Sequence, residues 1–201
     1  MEIKELIENI EQWGKDRELD KKATVEGQAV KTAEEMAELI IGISKDKIDV
    51  IEDSIGDVFV TLVIGNMIDN KFDFNSIYEK TDEEYERRTQ CFIDLRPLSL
   101  IDFILSNAAV LTKLGYEEEK LKDIIYLLMR ISGRYGLDFV ECVESAYKEI
   151  KDRKGKMING QFVKEADLWL FHLEWKLTRY LRNTRWREKK LQKYLDLQSQ
   201  L

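Results

Sequence analysis

The sequence predicts an all-α fold, from its composition and from its periodicity. Hydrophobic residues make up 44% of the 201 residues and charged residues 35%, whereas the chain holds one proline and ten glycines. Such a composition, rich in Glu, Lys, Leu and Ile, is typical of helical proteins and sufficient for a folded core. Apolar residues also recur every three or four positions over most of the chain, which is the period of an amphipathic helix.

Three helices are predicted in the first third of the chain. The first covers about residues 2–13 and ends at Gly14, and a polar loop follows it. The third covers about residues 48–68 and is apolar around most of its circumference, so we expect it at the centre of the fold. The second runs over 24–43, with an apolar stripe formed by Val30, Ala33, Met36, Ala37, Ile40 and Ile41.

Four further helices and a small β-hairpin are predicted in the middle of the chain. The helices are expected at about residues 75–90, 98–113, 117–134 and 138–153. The hairpin is expected over about 156–164, because its Asn-Gly pair suits a type I′ turn, in which both central residues need positive φ.

The end of the chain is predicted to be a basic helix over about 166–197, with leucines at helical spacing. Residues 169–201 contain eight Lys or Arg and three Asp or Glu, which gives this segment a net charge of +5. The net charge of the whole chain is −7, so the remaining residues carry −12. An acidic body of this kind discourages nucleic-acid binding and suits divalent cations.

Several functional classes are excluded by the residues that the chain lacks. No stretch approaches about 18 uninterrupted apolar residues and the first residues are acidic, so we expect a cytoplasmic protein without a membrane span or signal peptide. Cys91 and Cys142 are too few for a disulfide framework, and no Cys/His cluster indicates zinc. The single histidine, His172, cannot supply the two Glu-x-x-His motifs of a di-iron bundle. Catalysis would therefore depend on carboxylates, cations or a bound metal.

Two pairs of acidic residues on the second and third predicted helices form the candidate site. Glu35 and Glu38 are three positions apart and Asp53 and Asp57 four apart, so each pair lies on one helix face. Both pairs adjoin apolar residues, where a carboxylate is costly unless it is compensated. If a tight turn brings the four together, divalent cations are the simplest remedy for their repulsion, and oxygen ligands favour Mg²⁺ or Mn²⁺. The alternative is that these acids are solvated surface positions.

These acids belong to a longer pattern that resembles a known family. The pattern Gln28-x-x-Lys31-x-x-x-Glu35-x-x-Glu38, followed by Asp53-Ser54-Ile55-Gly56-Asp57, resembles the MazG-like all-α nucleoside triphosphate pyrophosphohydrolases. The stretch 149–160 is similar to the end of the short phage-type members, and Gln12-Trp13-Gly14-x-x-Arg17 is similar to their N-terminal segment. The resemblance implies a MazG-like catalytic domain over 1–168, with a helical insertion at about 69–137 and a basic extension at 169–201.

The chain departs from the family pattern at two positions. A strict Glu-x-x-Asp ending at Asp57 would place Glu where this chain has Ser54, so Asp53 is the expected substitute and Glu52 the alternative. Many members have Asn where this chain has Lys148.

The resemblance implies an Mg²⁺-dependent hydrolase that converts a nucleoside triphosphate to the monophosphate and pyrophosphate. The implied metal ligands are Glu35, Glu38, Asp53 and Asp57. The implied catalytic residues are Glu35, Glu38, Asp57 and Lys151. The implied substrate-binding residues are Lys31, Lys151, Arg153 and Lys154, which would bind the phosphates, and Trp13, which would stack on the base. The family also implies a homodimer or homotetramer, unless the insertion completes the bundle within one chain.

Alternatives to this assignment stay open at the level of the sequence. Trp13 at an apolar helix position also suits core packing, and the basic stretch 151–156 also suits an ordinary helix C-terminus. The protein could instead be a degenerate MazG-like module that binds a partner or nucleic acid through 169–201. An alarmone-type nucleotide hydrolase would use the same carboxylates.

Overall fold

The computed structural model describes residues 1–88, 96–158, 161–165 and 168, and this part of the chain is helical apart from one small sheet. The described elements are α1 (Ile3–Asp16), α2 (Leu19–Lys22), α3 (Val25–Ser44), α4 (Ile48–Asp69), α5 (Phe74–Arg88), α6 (Pro97–Leu114), α7 (Glu118–Tyr135), α8 (Phe139–Ile150), β1 (Gly155–Ile158) and β2 (Gln161–Lys164). The two strands pair in a two-stranded sheet. The predicted all-α fold with a small hairpin is therefore confirmed.

The chain divides into two compact units. The first comprises Met1–Arg153 and Met157–Phe162 and contains all the described helices, and the second comprises Lys154–Lys156 and Val163–Leu201. The predicted tail helix and its proposed binding role lie outside the described residues, apart from Leu168. The Asn-Gly turn of the hairpin and Cys91 also lie outside them.

Helix α4 is the centre of the first unit, as its sequence predicts. It packs against α1, α2, α3, α7 and α8. All residues of α4 from Val58 to Met67 are buried, and none of them is charged, so this half of the helix has no face that requires solvent. This position matters for the site, since Asp53 and Asp57 lie in the first half of the same helix.

Helix α3 is present as predicted, but the predicted apolar stripe is wrong by one position. Its buried face consists of Ala29, Thr32, Glu35, Met36, Leu39, Gly42 and Ile43. Val30 and Ile41 are about half exposed instead. Thr32 can be buried because its hydroxyl donates to the Gln28 carbonyl at 3.1 Å and hydrogen-bonds the Tyr116 hydroxyl at 2.9 Å. A prediction from hydrophobicity alone places polar residues such as Thr32 and Glu35 at the surface, and the predicted apolar stripe is therefore displaced by one position.

The N-terminal region also differs from its prediction. Gly14 does not end the first helix but lies within α1, where a Cβ atom would come 2.8 Å from the Met67 methyl carbon. The glycine therefore permits close packing of α1 on α4. The short helix α2 occupies part of the predicted polar loop.

The segment predicted as an insertion, 69–137, shares the core of the first unit. It forms α5, α6 and α7, which pack on one another and on α1, α3, α4 and α8. Tyr116 is fully buried, and its ring fills the space that a side chain at Gly65 of α4 would need. The segment thus completes a helical bundle within the chain, and the expected homodimer or homotetramer stays a prediction.

Helix α6 bears on the expectation that the chain has no membrane span. Among the described helices it alone is long and apolar enough by length and composition. Its two charged residues, Asp102 and Lys113, interrupt the apolar sequence, so a search for an uninterrupted run misses it. One such helix is weak evidence, because core helices of soluble proteins pass the same test. The cytoplasmic location therefore stays a prediction.

Thr24 begins α3 as its N-cap, since its hydroxyl accepts a hydrogen bond from the Gly27 amide at 3.0 Å. We expect Thr24→Ala to lower the free energy of unfolding by about 1 kcal/mol, measured by urea denaturation. Thr112→Ala is the matched control, because the Thr112 hydroxyl is exposed and bonds only carbonyls of its own helix. Equal losses in the two variants would contradict the capping role.

Candidate acidic site

Glu35 is the buried acid of the site. It is 7% exposed, and among the described residues it is the only Asp, Glu, Lys or Arg in the buried class. Lys31, one turn earlier on α3, places its Nζ 2.6 Å from Glu35 Oε1 and 3.2 Å from a carboxylate oxygen of Glu34. Burial lowers the pKa of the Lys31 ammonium, but its hydrogen bonds to Glu35 and Glu34 outweigh burial, so the pKa is raised. Burial and pairing both distinguish Glu35 from a solvated surface acid.

The charge of Glu35 helps to raise the pKa of both Asp57 and Asp53, which lie one turn apart on α4. Burial raises the pKa of Asp57 to about 7, with further contributions from the charges of Glu35 and Asp53. Burial, followed by the charges of Glu149 and Glu35, also raises the pKa of Asp53. The charge of Glu35 therefore acts on both Asp53 and Asp57, whereas Glu38, the fourth acid of the predicted group, is not among the charges that raise their pKa values.

Two backbone features bring these acids together. Helices α3 and α4 are joined by the predicted tight turn, in which the Lys47 amide donates to the Gly42 carbonyl at 3.0 Å. Helix α4 then approaches α8 very closely at Gly56, where a Cβ atom would collide with the Cys142 carbonyl and with Ala146. This approach places the C-terminal residues of α8 beside the acids of α4.

The basic residues that the sequence assigns to phosphate binding lie in different surroundings. Arg153 is partly buried, and its charge lowers the pKa of both Asp53 and Asp57 against the effect of burial. Its guanidinium also lies 3.6 Å from a carboxylate oxygen of Glu149. Lys151 is exposed, and Lys154 is exposed and begins the second unit. Arg153 is thus the cation of this stretch that acts on the acids.

Glu149 is an acid of the site that the sequence analysis missed. It lies one turn before Arg153 near the end of α8 and acts on both Asp53 and Asp57. Its position in the stretch that resembles the family is the sequence signal that could have identified Glu149 as a site residue. Glu52 and Asp53 are both exposed and Ser54 is buried, and of the two acids Asp53 is the one whose pKa is raised by burial and by the charges of Glu149 and Glu35. The expected substitution of Asp53 for the family's glutamate stays a prediction.

Trp13 lies in the core rather than in an open site. Its ring is 8% exposed, and its Nε1–H donates to the Ile150 carbonyl at 2.6 Å. The Arg17 guanidinium covers the ring at 4.4 Å from its centroid, and Phe162 contacts it edge-on at 5.7 Å between centroids. Core packing, the alternative to base stacking, is therefore the role that the structure shows.

The expected metal ligands are oxygen donors of the kind that a divalent cation prefers, but their side chains do not converge on one position. Among the described residues, no three Asp, Glu, His or Cys side chains converge closely enough to hold a metal ion. Glu38 is exposed and does not contribute to the raised pKa of either aspartate. The donor set is nevertheless all oxygen, and the group around Asp57 contains Glu35, Asp53 and Glu149 against Arg153. A hard cation such as Mg²⁺ suits this excess of carboxylates, provided that side chains turn toward it.

Comparisons with known proteins give one partial likeness. No protein-family model matches the chain, and no solved structure matches it. Over 63 residues the chain is 51% identical to a protein of Haemophilus phage HP1 (strain HP1c1), which is described as an uncharacterized 18.2 kDa protein in the rep-hol intergenic region. The match covers 31% of this chain and 39% of the phage protein. The chain is thus similar to a phage protein over a limited segment.

Proposed function

We propose that the protein is a nucleotide pyrophosphohydrolase that depends on Mg²⁺ or Mn²⁺. The observation that carries the proposal is the coupled group of Glu35, Asp53 and Asp57, in which burial and mutual repulsion raise the pKa of Asp57 to about 7. Glu35 is buried, Asp57 is partly buried and Asp53 is exposed, and carboxylates with perturbed pKa values are typical of catalytic sites. The phage relative is described as uncharacterized, so the proposal depends on the site and on the family resemblance.

In this proposal, the acidic residues of the site bind the metal and the basic residues bind the phosphates or hold the acids in place. Glu35, Asp53 and Asp57, with Glu38 as a fourth candidate, would hold the divalent cation, which would supply positive charge for the triphosphate and lower the pKa of a water. Arg153, whose charge acts on Asp53 and Asp57, binds phosphate oxygens through its planar guanidinium. Lys31 holds the Glu35 carboxylate in place and adds a second positive charge beside it. The products are a nucleoside monophosphate and pyrophosphate.

The direct test is pyrophosphate release from a panel of standard and modified nucleoside triphosphates, with Mg²⁺, Mn²⁺ or EDTA. Metal-dependent release from any member supports the proposal and ranks the substrates. Guanosine tetraphosphate, followed by chromatography, tests the alarmone alternative with the same carboxylates. Absence of turnover together with absence of metal binding would reject the hydrolase and favour a binding module.

Replacement of single glutamates by glutamine is expected to distinguish the acids that serve the site from acids at the surface. We expect Glu35→Gln to lower kcat/KM for pyrophosphate release by at least about 100-fold, because a buried ligand charge is lost. Glu34→Gln is the matched control, since Glu34 also pairs with Lys31 but is exposed, and it should retain nearly full activity. Equal effects in the two variants would place Glu35 outside the site. Glu38→Gln, assayed alongside, tests whether Glu38 joins the ligands.

A further inference from the structure

The C-terminal end of α8 is held by two residues of the α1 region. Trp13 Nε1–H donates to the Ile150 carbonyl at 2.6 Å. Arg17 Nη2–H donates to the Arg153 carbonyl at 2.7 Å and to the Lys151 carbonyl at 3.2 Å, and its Nε–H donates to the Arg153 carbonyl at 3.1 Å. Carbonyls at a helix C-terminus lack partners within the helix, and Arg17 supplies partners to the carbonyls of Lys151 and Arg153. The Ile150 carbonyl, which also accepts from the Arg153 amide, receives a second hydrogen bond from Trp13. We call Arg17 and Trp13, with these bonds, the Arg17 clamp.

The two residues of the Arg17 clamp also contact each other. Arg17 stacks over the Trp13 ring at 4.4 Å from its centroid and donates from Nη1 to the Trp13 carbonyl at 3.3 Å. Trp13 is buried, and its ring contacts Phe162 edge-on. A planar guanidinium can form several such bonds and a cation–π contact at the same time, which a lysine ammonium cannot.

The backbone that the clamp holds carries the cation of the acidic site. The Arg153 carbonyl accepts two hydrogen bonds from Arg17, while the Arg153 side chain pairs with Glu149 and its charge acts on Asp53 and Asp57 of α4. We propose that Arg17 is a positioning residue, which acts through the backbone at 151–153 to hold Arg153 beside Asp53 and Asp57. Within the described part of the chain, the hydrogen bonds that Arg17 donates all go to backbone carbonyls, and its guanidinium stacks on Trp13. The effect on turnover rests on the proposed function, whereas the effect on the backbone does not.

Amide hydrogen exchange tests the structural half of the proposal. The Lys151 amide donates to the Tyr147 carbonyl at 2.9 Å and the Arg153 amide to the Ile150 carbonyl at 2.8 Å, so both amides report the order of this segment. We expect Arg17→Lys to speed their exchange by at least about tenfold, with the amides of α4 unchanged. Lys15→Ala is the control, because Lys15 is exposed on the same helix and pairs only with Glu11. Unchanged exchange in Arg17→Lys would overturn the proposal.

Trp13→Phe is the second variant, because it keeps an aromatic ring under Arg17 and removes the bond to the Ile150 carbonyl, together with part of the buried indole. It should speed the exchange of the same two amides, and it keeps the proposal testable if Arg17→Lys does not fold. Slow exchange at both amides in this variant would count against the clamp.

A double-mutant cycle tests the catalytic half. We expect Arg17→Lys to lower kcat/KM by about 10- to 100-fold, and to cause no further loss in the Arg153→Ala background. Fully additive losses would overturn the positioning role, because Arg17 would then act independently of Arg153. If the wild-type protein turns over none of the nucleotides, the proposed function fails, and hydrogen exchange still decides whether the clamp holds Arg153.

Discussion

The Asp57→Asn variant is expected to be more stable than the wild-type protein at pH 8 without metal, and inactive as a hydrolase. The pKa of Asp57 is raised to about 7, chiefly by burial, so the folded protein above that pH contains a carboxylate in unfavourable surroundings. An amide of nearly the same shape carries no charge. We expect a gain of about 2–4 kcal/mol in the free energy of unfolding, the upper figure corresponding to a pKa shift of about three units.

The sign of this effect depends on pH in a defined window. Because the folded pKa of Asp57 lies above its ordinary value of 3.8, the folded state binds more protons than the unfolded state between about pH 4 and pH 7. The wild-type protein therefore loses stability as the pH rises through this window. The advantage of Asp57→Asn should be near zero at about pH 4 and complete above about pH 7.

Urea denaturation in EDTA at a series of pH values measures the difference. Glu52→Gln is the control, since Glu52 is exposed on the same helix, and it should change stability by less than about 0.5 kcal/mol at every pH. A stability difference that does not vary with pH would show that Asp57 is not a buried, repelled carboxylate.

Addition of Mg²⁺ then connects stability to function. A metal that binds only the folded state stabilises the protein by mass action, so the wild-type Tm should rise with Mg²⁺ concentration. Asp57→Asn should lose most of this rise together with pyrophosphate release. A variant that is more stable without metal, and less responsive to it, is expected for a residue retained for function rather than for folding.

Gly65→Ala is expected to destabilise the protein by at least about 3 kcal/mol, which is the second large effect. The glycine lies in the middle of α4, and the Tyr116 ring occupies the space that a Cβ atom would need. Tyr116 is fully buried and hydrogen-bonds Thr32, so the ring cannot move without breaking that bond or displacing neighbouring core residues. The methyl group must therefore force α4 and the α6–α7 connection apart. Thermal or urea denaturation measures the loss.

Gly133→Ala is the control for helix propensity. Gly133 is an exposed helical glycine of α7, and a Cβ atom there would meet only the Tyr85 hydroxyl at 3.2 Å. Alanine should be neutral or stabilise the helix by up to about 1 kcal/mol. If the Tyr116 ring causes the loss at Gly65, the Gly65→Ala/Tyr116→Ala double variant should be no less stable than Tyr116→Ala alone.

Much of the fold follows from local patterns in the sequence. The helices were predicted because apolar residues recur with the helical period, and their bounds agree with the structure to within a few residues at most ends. The central place of α4 was predicted because ten residues without a charge have no face for solvent. The buried face of α3 was predicted wrongly because Thr32 and Glu35 are polar, and their burial depends on partners elsewhere: Tyr116 for Thr32, and Lys31 for Glu35.

The sequence by itself determined the helical class and the central position of α4, because both follow from the spacing of apolar residues along the chain. The role of Glu35, Glu38, Asp53 and Asp57 as metal ligands stays a prediction. Tertiary structure alone decided that Glu149 and Arg153 act on Asp53 and Asp57 while Lys151 stays exposed. It also decided that Trp13 serves the core. The physical reason is that these outcomes depend on how closely α8 approaches α4 at Gly56 and on which carbonyls Arg17 reaches, and such contacts between distant residues leave no periodic signal along the chain.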